Sequence, residues 1–147
     1  MAKLTVNEAV SGYTHKLAFD YNDLNATGFL ANLGAAGQRI VGSMAPGDII
    51  DLAALYQVVD PAGATDIVLD FGNQTNDPDE IIDAADVDGI TQVVYNTGDE
   101  FLTNAKMSVV NNTTAAKTLY MEVNGTLTAL TAGSWVLAWR QNVCPTS

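Results

Sequence analysis

The stretch Thr65-Asp66-Ile67-Val68-Leu69-Asp70-Phe71 runs directly into Gly72-Asn73. A short run rich in β-branched and aromatic residues, cut off by two turn formers, has the length and chemistry of a strand; a helix needs about ten or more residues. The same grammar recurs outward. Ile49 to Val59 mixes β-branched residues with Tyr56 and ends at Asp60-Pro61-Ala62-Gly63, and Gln38 to Met44 closes at Pro46-Gly47-Asp48. Lys16 to Tyr21 alternates and stops at Asn22-Asp23. Downstream, Thr91 to Tyr95, Lys106 to Val110, Thr118 to Val123 and Ser134 to Gln141 are bounded in the same way. Eight short strands separated by turn chemistry predict an all-β fold, an antiparallel β-sandwich or barrel.

Two segments depart from this grammar. Asp77-Pro78-Asp79-Glu80-Ile81-Ile82-Asp83-Ala84-Ala85-Asp86 carries an N-cap aspartate, a proline at the first helical position and a glutamate at the capping-box position. Acids in the first turn also suit the helix dipole, so one short inserted helix is predicted near 78–86. Leu24 to Ala36 contains Gly28, Asn32 and Gly34 and is predicted to be a long loop. Along the last strand, Trp135, Leu137 and Trp139 share one face while Val136, Ala138 and Arg140 share the other. The Trp-Leu-Trp stripe reads as core, together with Leu17, Phe19, Ile49, Leu55, Ile67, Leu69, Val109, Leu119 and Val123.

The chain of 147 residues contains no internal repeat and no linker, which predicts a single β-sandwich domain over 1–147. Hydrophobic residues make up 48% and charged ones only 16%, with 15 threonines and 12 asparagines supplying much of the polar surface. That composition belongs to a compact globule rather than a disordered chain. The net charge is −11, and 13 of the 17 acids lie between Arg39 and Lys106, where there is no basic residue. Nucleic-acid binding and attraction to anionic membranes both need clustered Lys and Arg, so neither is expected. No apolar run approaches a membrane span. The first residues lack the pattern of a secretory signal, and the single cysteine, Cys144, has no partner for a disulfide, which suits synthesis in a reducing cytoplasm.

Catalytic chemistry finds little to stand on. His15 is the only histidine, and neither Ser11 nor Cys144 sits in a recognisable nucleophile frame. Gly34-Ala35-Ala36-Gly37-Gln38-Arg39 lacks the flanking glycine and lysine of a phosphate loop. One Cys and one His cannot make a zinc site, and no cofactor or catalytic residue is assigned. Six acids between Asp77 and Asp88 offer hard oxygen ligands, yet their spacing is not that of a calcium loop. Solvated helix surface is the simpler reading, with Asp79, Asp83 and Asp86 on one face. Sequons such as Asn111-Asn112-Thr113 read as a by-product of Asn/Thr richness.

Ala45-Pro46-Gly47-Asp48-Ile49-Ile50-Asp51, then Gly63-Ala64-Thr65-Asp66-Ile67-Val68-Leu69-Asp70-Phe71-Gly72, resembles small head proteins of tailed bacteriophages. Asn76-Asp77-Pro78-Asp79-Glu80-Ile81-Ile82 and Leu130-Thr131-Ala132-Gly133-Ser134-Trp135-Val136-Leu137 fit the same pattern, so the resemblance covers roughly residues 38–141. It is to decoration, or cement, proteins, and it implies a jelly roll on the capsid surface of the virion, commonly a homotrimer, clamping the major capsid protein without enzymatic activity. Residues 1–21 hold Lys3, His15 and Lys16 against only Glu8 and Asp20. An N-terminal arm over 1–15 is therefore expected to reach the coat without the repulsion of the acidic middle, with Lys3, His15 and Lys16 as candidate capsid contacts. The alternative is a carbohydrate-binding module or tail-fibre type domain, for which Tyr13, Tyr21, Tyr95, Tyr120 or the tryptophans would line one groove.

Overall fold

A computed structural model describes residues 12–26, 28–32, 37–75, 77–88, 93–95 and 97–143. Its strands are β1 (His15–Asp20), β2 (Ala31–Asn32), β3 (Gly37–Met44), β4 (Asp48–Ala62), β5 (Val68–Gly72), β6 (Ile82–Asp86), β7 (Val93–Tyr95), β8 (Val109–Val110), β9 (Lys117–Asn124) and β10 (Ala132–Val143). One sheet has the order β1-β10-β4-β7, with β8 also pairing β4; the other runs β2-β3-β9-β5-β6. All pairings are antiparallel. Setting aside the two-residue strands β2 and β8, the chain visits the sheets as β1, then β3, β4, β5 and β6, β7, β9, β10. Strand orders 1-10-4-7 and 3-9-5-6 with that alternation are the two interlocked Greek keys of a jelly roll. The predicted sandwich is therefore present, and each of the eight predicted strands appears within a few residues of its expected place.

The core follows from period-two alternation along these strands. Trp135, Leu137 and Trp139 of β10 are buried to 1% exposure or less, beside Phe19 of β1 and Phe71 of β5. Phe19 stacks on Trp135 at 5.6 Å between centroids, and Phe71 tilts against Trp139 at 5.1 Å. The Trp135 indole N–H donates to the Val87 carbonyl at 3.1 Å, so this large apolar side chain leaves no polar atom unmet. Two core assignments shift. Leu17 is half-buried at the core margin, and Ile50 rather than Ile49 is sealed. The cause of the shift to Ile50 is a register irregularity between Arg140 and Gln141, where Leu52 pairs Arg140 but Ile50 pairs Gln141. Asp51 is the extra residue, and it meets Arg140 in a two-pronged ion pair at 2.7 and 3.0 Å.

The helix predicted near 78–86 is not formed. Ile82–Asp86 is strand β6, paired with β5 through Phe71↔Ile82, Leu69↔Ala85 and Val68↔Asp86, and the residues before it are irregular. The local capping signals lose to tertiary partners. Ile81 N–H donates to the Phe71 carbonyl at 3.0 Å, and the carbonyls of Asp79, Glu80 and Ile81 accept from Asp99, Glu100 and Gly98. With β6 carrying one extra residue between Ile82 and Ala85, Ile81, Ile82, Ala85 and Val87 all reach the core, whereas a helix over 78–86 would have faced three acids to one another. The expected loop after β1 instead begins with a helix, Tyr21–Asn25, closed by a reciprocal box in which Asp20 and Asp23 each accept the other's backbone N–H at 2.9 Å. A second short helix covers Asp99–Leu102.

Candidate functional site

Of the candidate contacts, Lys3 lies outside the described residues, as do Ser11 and Cys144. His15 and Lys16 are consecutive on β1, so their side chains leave opposite faces of the sheet and form no joint site. His15 stacks on Trp139 at 5.3 Å with an interplanar angle of 11°, and its Nδ1 lies 2.7 Å from the Thr14 hydroxyl. It shields the edge of the core. Just upstream, the Tyr56 hydroxyl donates to that of Tyr13 at 2.9 Å on the outer face of the first sheet, and Thr14 N–H donates to the Trp139 carbonyl at 3.0 Å. Residues 13–15 of the expected arm are thus laid along the sheet.

Among the described side chains the candidate aromatics do not gather into a groove. Both tryptophans are buried, and Tyr21 packs against the core. Tyr13 lies outside one sheet, while Tyr120 lies outside the other beside the Thr75 hydroxyl at 3.2 Å. The side chain of Tyr95 is outside the described ones.

The polar constellations are instead built on and around the second sheet. Register places Gln38, Glu122 and Asp70 in one row across β3, β9 and β5, on the face away from the core. All three are buried, with Thr75 of the β5–β6 connection against Gln38 and Ala84 of β6 against Asp70. Gln38 Nε2 donates to the Thr75 carbonyl and to Glu122, and Ala84 N–H, with φ at +48°, donates to Asp70 Oδ1 at 2.6 Å. Asp70 and Glu122 are direct cross-strand partners of like charge. Withdrawal from water, and secondarily the charges of Glu122, Asp83 and Asp77, push the Asp70 carboxyl up to about 6 against the pull of the Ala84 N–H.

That displacement has a sign. An unfolded Asp titrates near 3.8, so between about pH 4 and pH 6 the folded protein binds more protons than the unfolded chain. The group's stabilising contribution is full below about pH 4 and lost as pH rises through about 6, opposite to a salt-bridged carboxylate. With allowance for solvent, a charged Asp70 costs about 1–3 kcal/mol. Asp70→Asn keeps the acceptor for Ala84 and removes the charge. It is expected to raise stability at pH 8 by about 1–3 kcal/mol in urea unfolding, with the gain vanishing near pH 4. Equal stability of the two proteins at pH 8 would refute this.

One carboxylate oxygen from each of Asp79, Asp83 and Asp99 lies within 4.8 Å of the others. The expected one-face trio of Asp79, Asp83 and Asp86 needed a helix; the actual trio joins the β6 region to the helix Asp99–Leu102. Partial burial, then mutual repulsion with Asp77 and Asp99, raises the carboxyls of Asp79 and Asp83.

Beside this trio lies a cavity of about 430 Å³, walled by Glu80, Glu100, Lys106, Lys117 and the valines 109 and 110. Glu80 is only 6% exposed. Its Oε2 accepts the Asn73 N–H at 2.8 Å, while its Oε1 has no hydrogen-bond partner. Burial, followed by the charges of Asp79 and Asp77, raises its carboxyl against the pull of Asn73. Lys106 is tied to Glu100. The sequence held one sign of this site, the glutamate three residues after Asp77, but assigned it to helix capping.

Protein-family models give no match to the chain, and neither do curated proteins. Among solved structures, a chain of the cyanophage Pam1 capsid asymmetric unit matches with a TM-score of 0.56 at 16% identity, over 89% of this chain and 81% of that one. A chain of the capsid of Ralstonia phage GP4 matches with a TM-score of 0.47 at 21% identity, over 90% of this chain and 84% of that one. The likeness to the Pam1 chain is one of fold and spans nearly the whole molecule.

Proposed function

We propose that this protein is a structural component of a phage virion that decorates the capsid surface and cross-bridges subunits of the major capsid protein. The observation that carries the reading is the jelly roll held in common with a Pam1 capsid chain over 89% of the length. Turn and strand motifs resembling those of head decoration proteins support it from the sequence. Fold does not fix function, so the reading stands on that combination.

The mechanism is linkage. A protein that binds the assembled shell across subunit boundaries stabilises the state it prefers, and a homotrimer would add avidity to individually weak contacts. In this reading the N-terminal arm, residues 1–15 with Lys3 and His15, meets the coat together with the adjoining Lys16, and the acidic surface faces outward or toward basic coat residues.

Purified protein mixed with undecorated heads tests the whole. Saturable binding is expected at a fixed number of copies per shell, in multiples of three, with a raised temperature of shell rupture. Removing residues 1–12 is expected to lower occupancy. Absence of binding to heads from every candidate host phage would exclude the role.

A further inference from the structure

We propose that the recess where β1, β10 and the C-terminal half of β4 meet is a docking site for a neighbouring protein, taking a lysine or arginine side chain from an aliphatic-basic segment. The recess measures about 200 Å³ and is walled by Ala18, Asp20, Asp23, Val58 and Ser134, with the nearly sealed Phe19 and Trp135 as its floor. Asp20, Ser134 and Val59 form one row across β1, β10 and β4. The wall takes its shape from a strand irregularity in that row. Trp135 pairs Gln57 while Ser134 pairs Val59, so Val58 is an extra residue on β4 with no counterpart on β10. A bulge of this kind turns a side chain out of the alternating pattern. Val58 and Val59 are both exposed, at 55% and 51%, where consecutive residues of a regular strand would face opposite ways. The result is apolar surface beside a recess, which a partner can cover.

The charge on the wall selects a cation. Asp20 and Asp23 are only partly buried, and each spends one oxygen on the other's backbone N–H at 2.9 Å in the box that closes the helix Tyr21–Asn25. Asp20 Oδ2 and Asp23 Oδ1 accept no hydrogen bond among the described residues, so both are open to a donor. No lysine, arginine or histidine lines the recess, unlike the cavity beside Glu80, where Lys106 and Lys117 balance Glu80 and Glu100. Lys16 shares a strand face with Ala18 and Asp20, but stands four residues, about 13 Å, from Asp20. A lysine or arginine carries its charge on a methylene stem. The stem can lie on Ala18 and Val58 while the charged end donates to Asp20 and Asp23, a pairing stronger than one between neutral groups. A bare metal ion would leave the valines uncovered. The net charge of −11 adds long-range attraction for a basic partner.

That the neighbour is a coat subunit rests on the capsid reading; the chemistry of the recess does not. The test is a titration of the isotopically labelled full chain with the peptide acetyl-Val-Arg-Val amide, followed through backbone amide shifts. The same peptide with citrulline or with glutamate in place of arginine serves as comparison. Saturable shifts at Ala18, Val58 and Ser134 are expected for the arginine peptide, with affinity about tenfold lower for citrulline and no saturation for glutamate. Asp20→Asn combined with Asp23→Asn removes both charges yet keeps both capping acceptors, because asparagine caps a helix about as well as aspartate. Val58→Lys leaves the aspartates in place and sets a cation of the chain's own over the recess. Each protein is expected to bind the arginine peptide about tenfold more weakly than wild type. No saturable response in wild type, equal affinity for the three peptides, or undiminished affinity in the doubly substituted protein overturns the proposal. On heads, equal occupancy by wild type and the doubly substituted protein overturns it while leaving the capsid role standing. Failure of wild type to bind heads sinks that role instead, and the titration still decides the recess.

Discussion

Trp135→Ala is expected to lower the free energy of unfolding by about 3–5 kcal/mol, the range for removing a large aromatic from a core. The side chain is 1% exposed, stacks on Phe19 and donates to the Val87 carbonyl. Three elements lose contact at once, because β10 presents Trp135 between β1 and the turn after β6. The loss also leaves a buried carbonyl without its donor. Against a typical total of about 5–15 kcal/mol, much of the stability goes. Trp135→Phe keeps the stack but not the N–H, so it is expected to cost about half as much. Urea unfolding of the three proteins measures both steps; a loss under about 1 kcal/mol for the alanine variant would mean that Trp135 is not part of the packed core.

The second large effect belongs to a small residue. Asn111 is fully buried and satisfies four groups: its Nδ2 donates to the carbonyls of Met44 and Ala115, both at 2.9 Å, and its Oδ1 accepts from the backbone and hydroxyl of Thr113. Its main chain bonds Gly47 and Asp48 as well, at 2.8 and 3.0 Å. It therefore ties the β3–β4 turn to the segment leading into β9. Asn111→Ala keeps the main-chain bonds but strands buried acceptors, and a loss of about 3–4 kcal/mol is expected. Asn111→Asp retains the size but replaces two donors with a buried negative charge, so it is expected to be at least as damaging above pH 5 and less so in acid. Thermal unfolding across pH reads this directly. Asn112→Ala, one residue on and exposed, is the control and is expected to change stability by under about 0.5 kcal/mol.

Asn111 shows where sequence reading runs short. In the chain it is one of a run of Asn and Thr residues, indistinguishable from Asn112, and it is the approach of the β3–β4 turn, with the Met44 carbonyl 67 residues away, that sets it apart. Glu80 is the same case. Its local frame, Asp77-Pro78-Asp79-Glu80, encodes a helix start, and the structure spends that carboxylate on Asn73 and the cavity. Asp70 was closer to legible, since a charge within Ile-Val-Leu-Asp-Phe must face away from the core. What alternation could not show is that Glu122 would lie opposite and that both would be buried.

By itself the sequence determined the strand-rich character, the Trp-Leu-Trp stripe on the inner face of β10 and the positions of eight strands. Each of these depends on nearest neighbours and on a two-residue period, which any local window contains. The tertiary structure decided that 82–86 joins a sheet, that Ile50 and not Ile49 is sealed, and that Gln38, Glu122 and Asp70 share a row. It also brought Glu80, Lys106 and Lys117 around one cavity. Those outcomes depend on which strands become neighbours. In a jelly roll consecutive segments pass between sheets, so the residues that meet are far apart in the chain, and hydrogen bonds from distant partners outweigh the weak local preference for a helical turn.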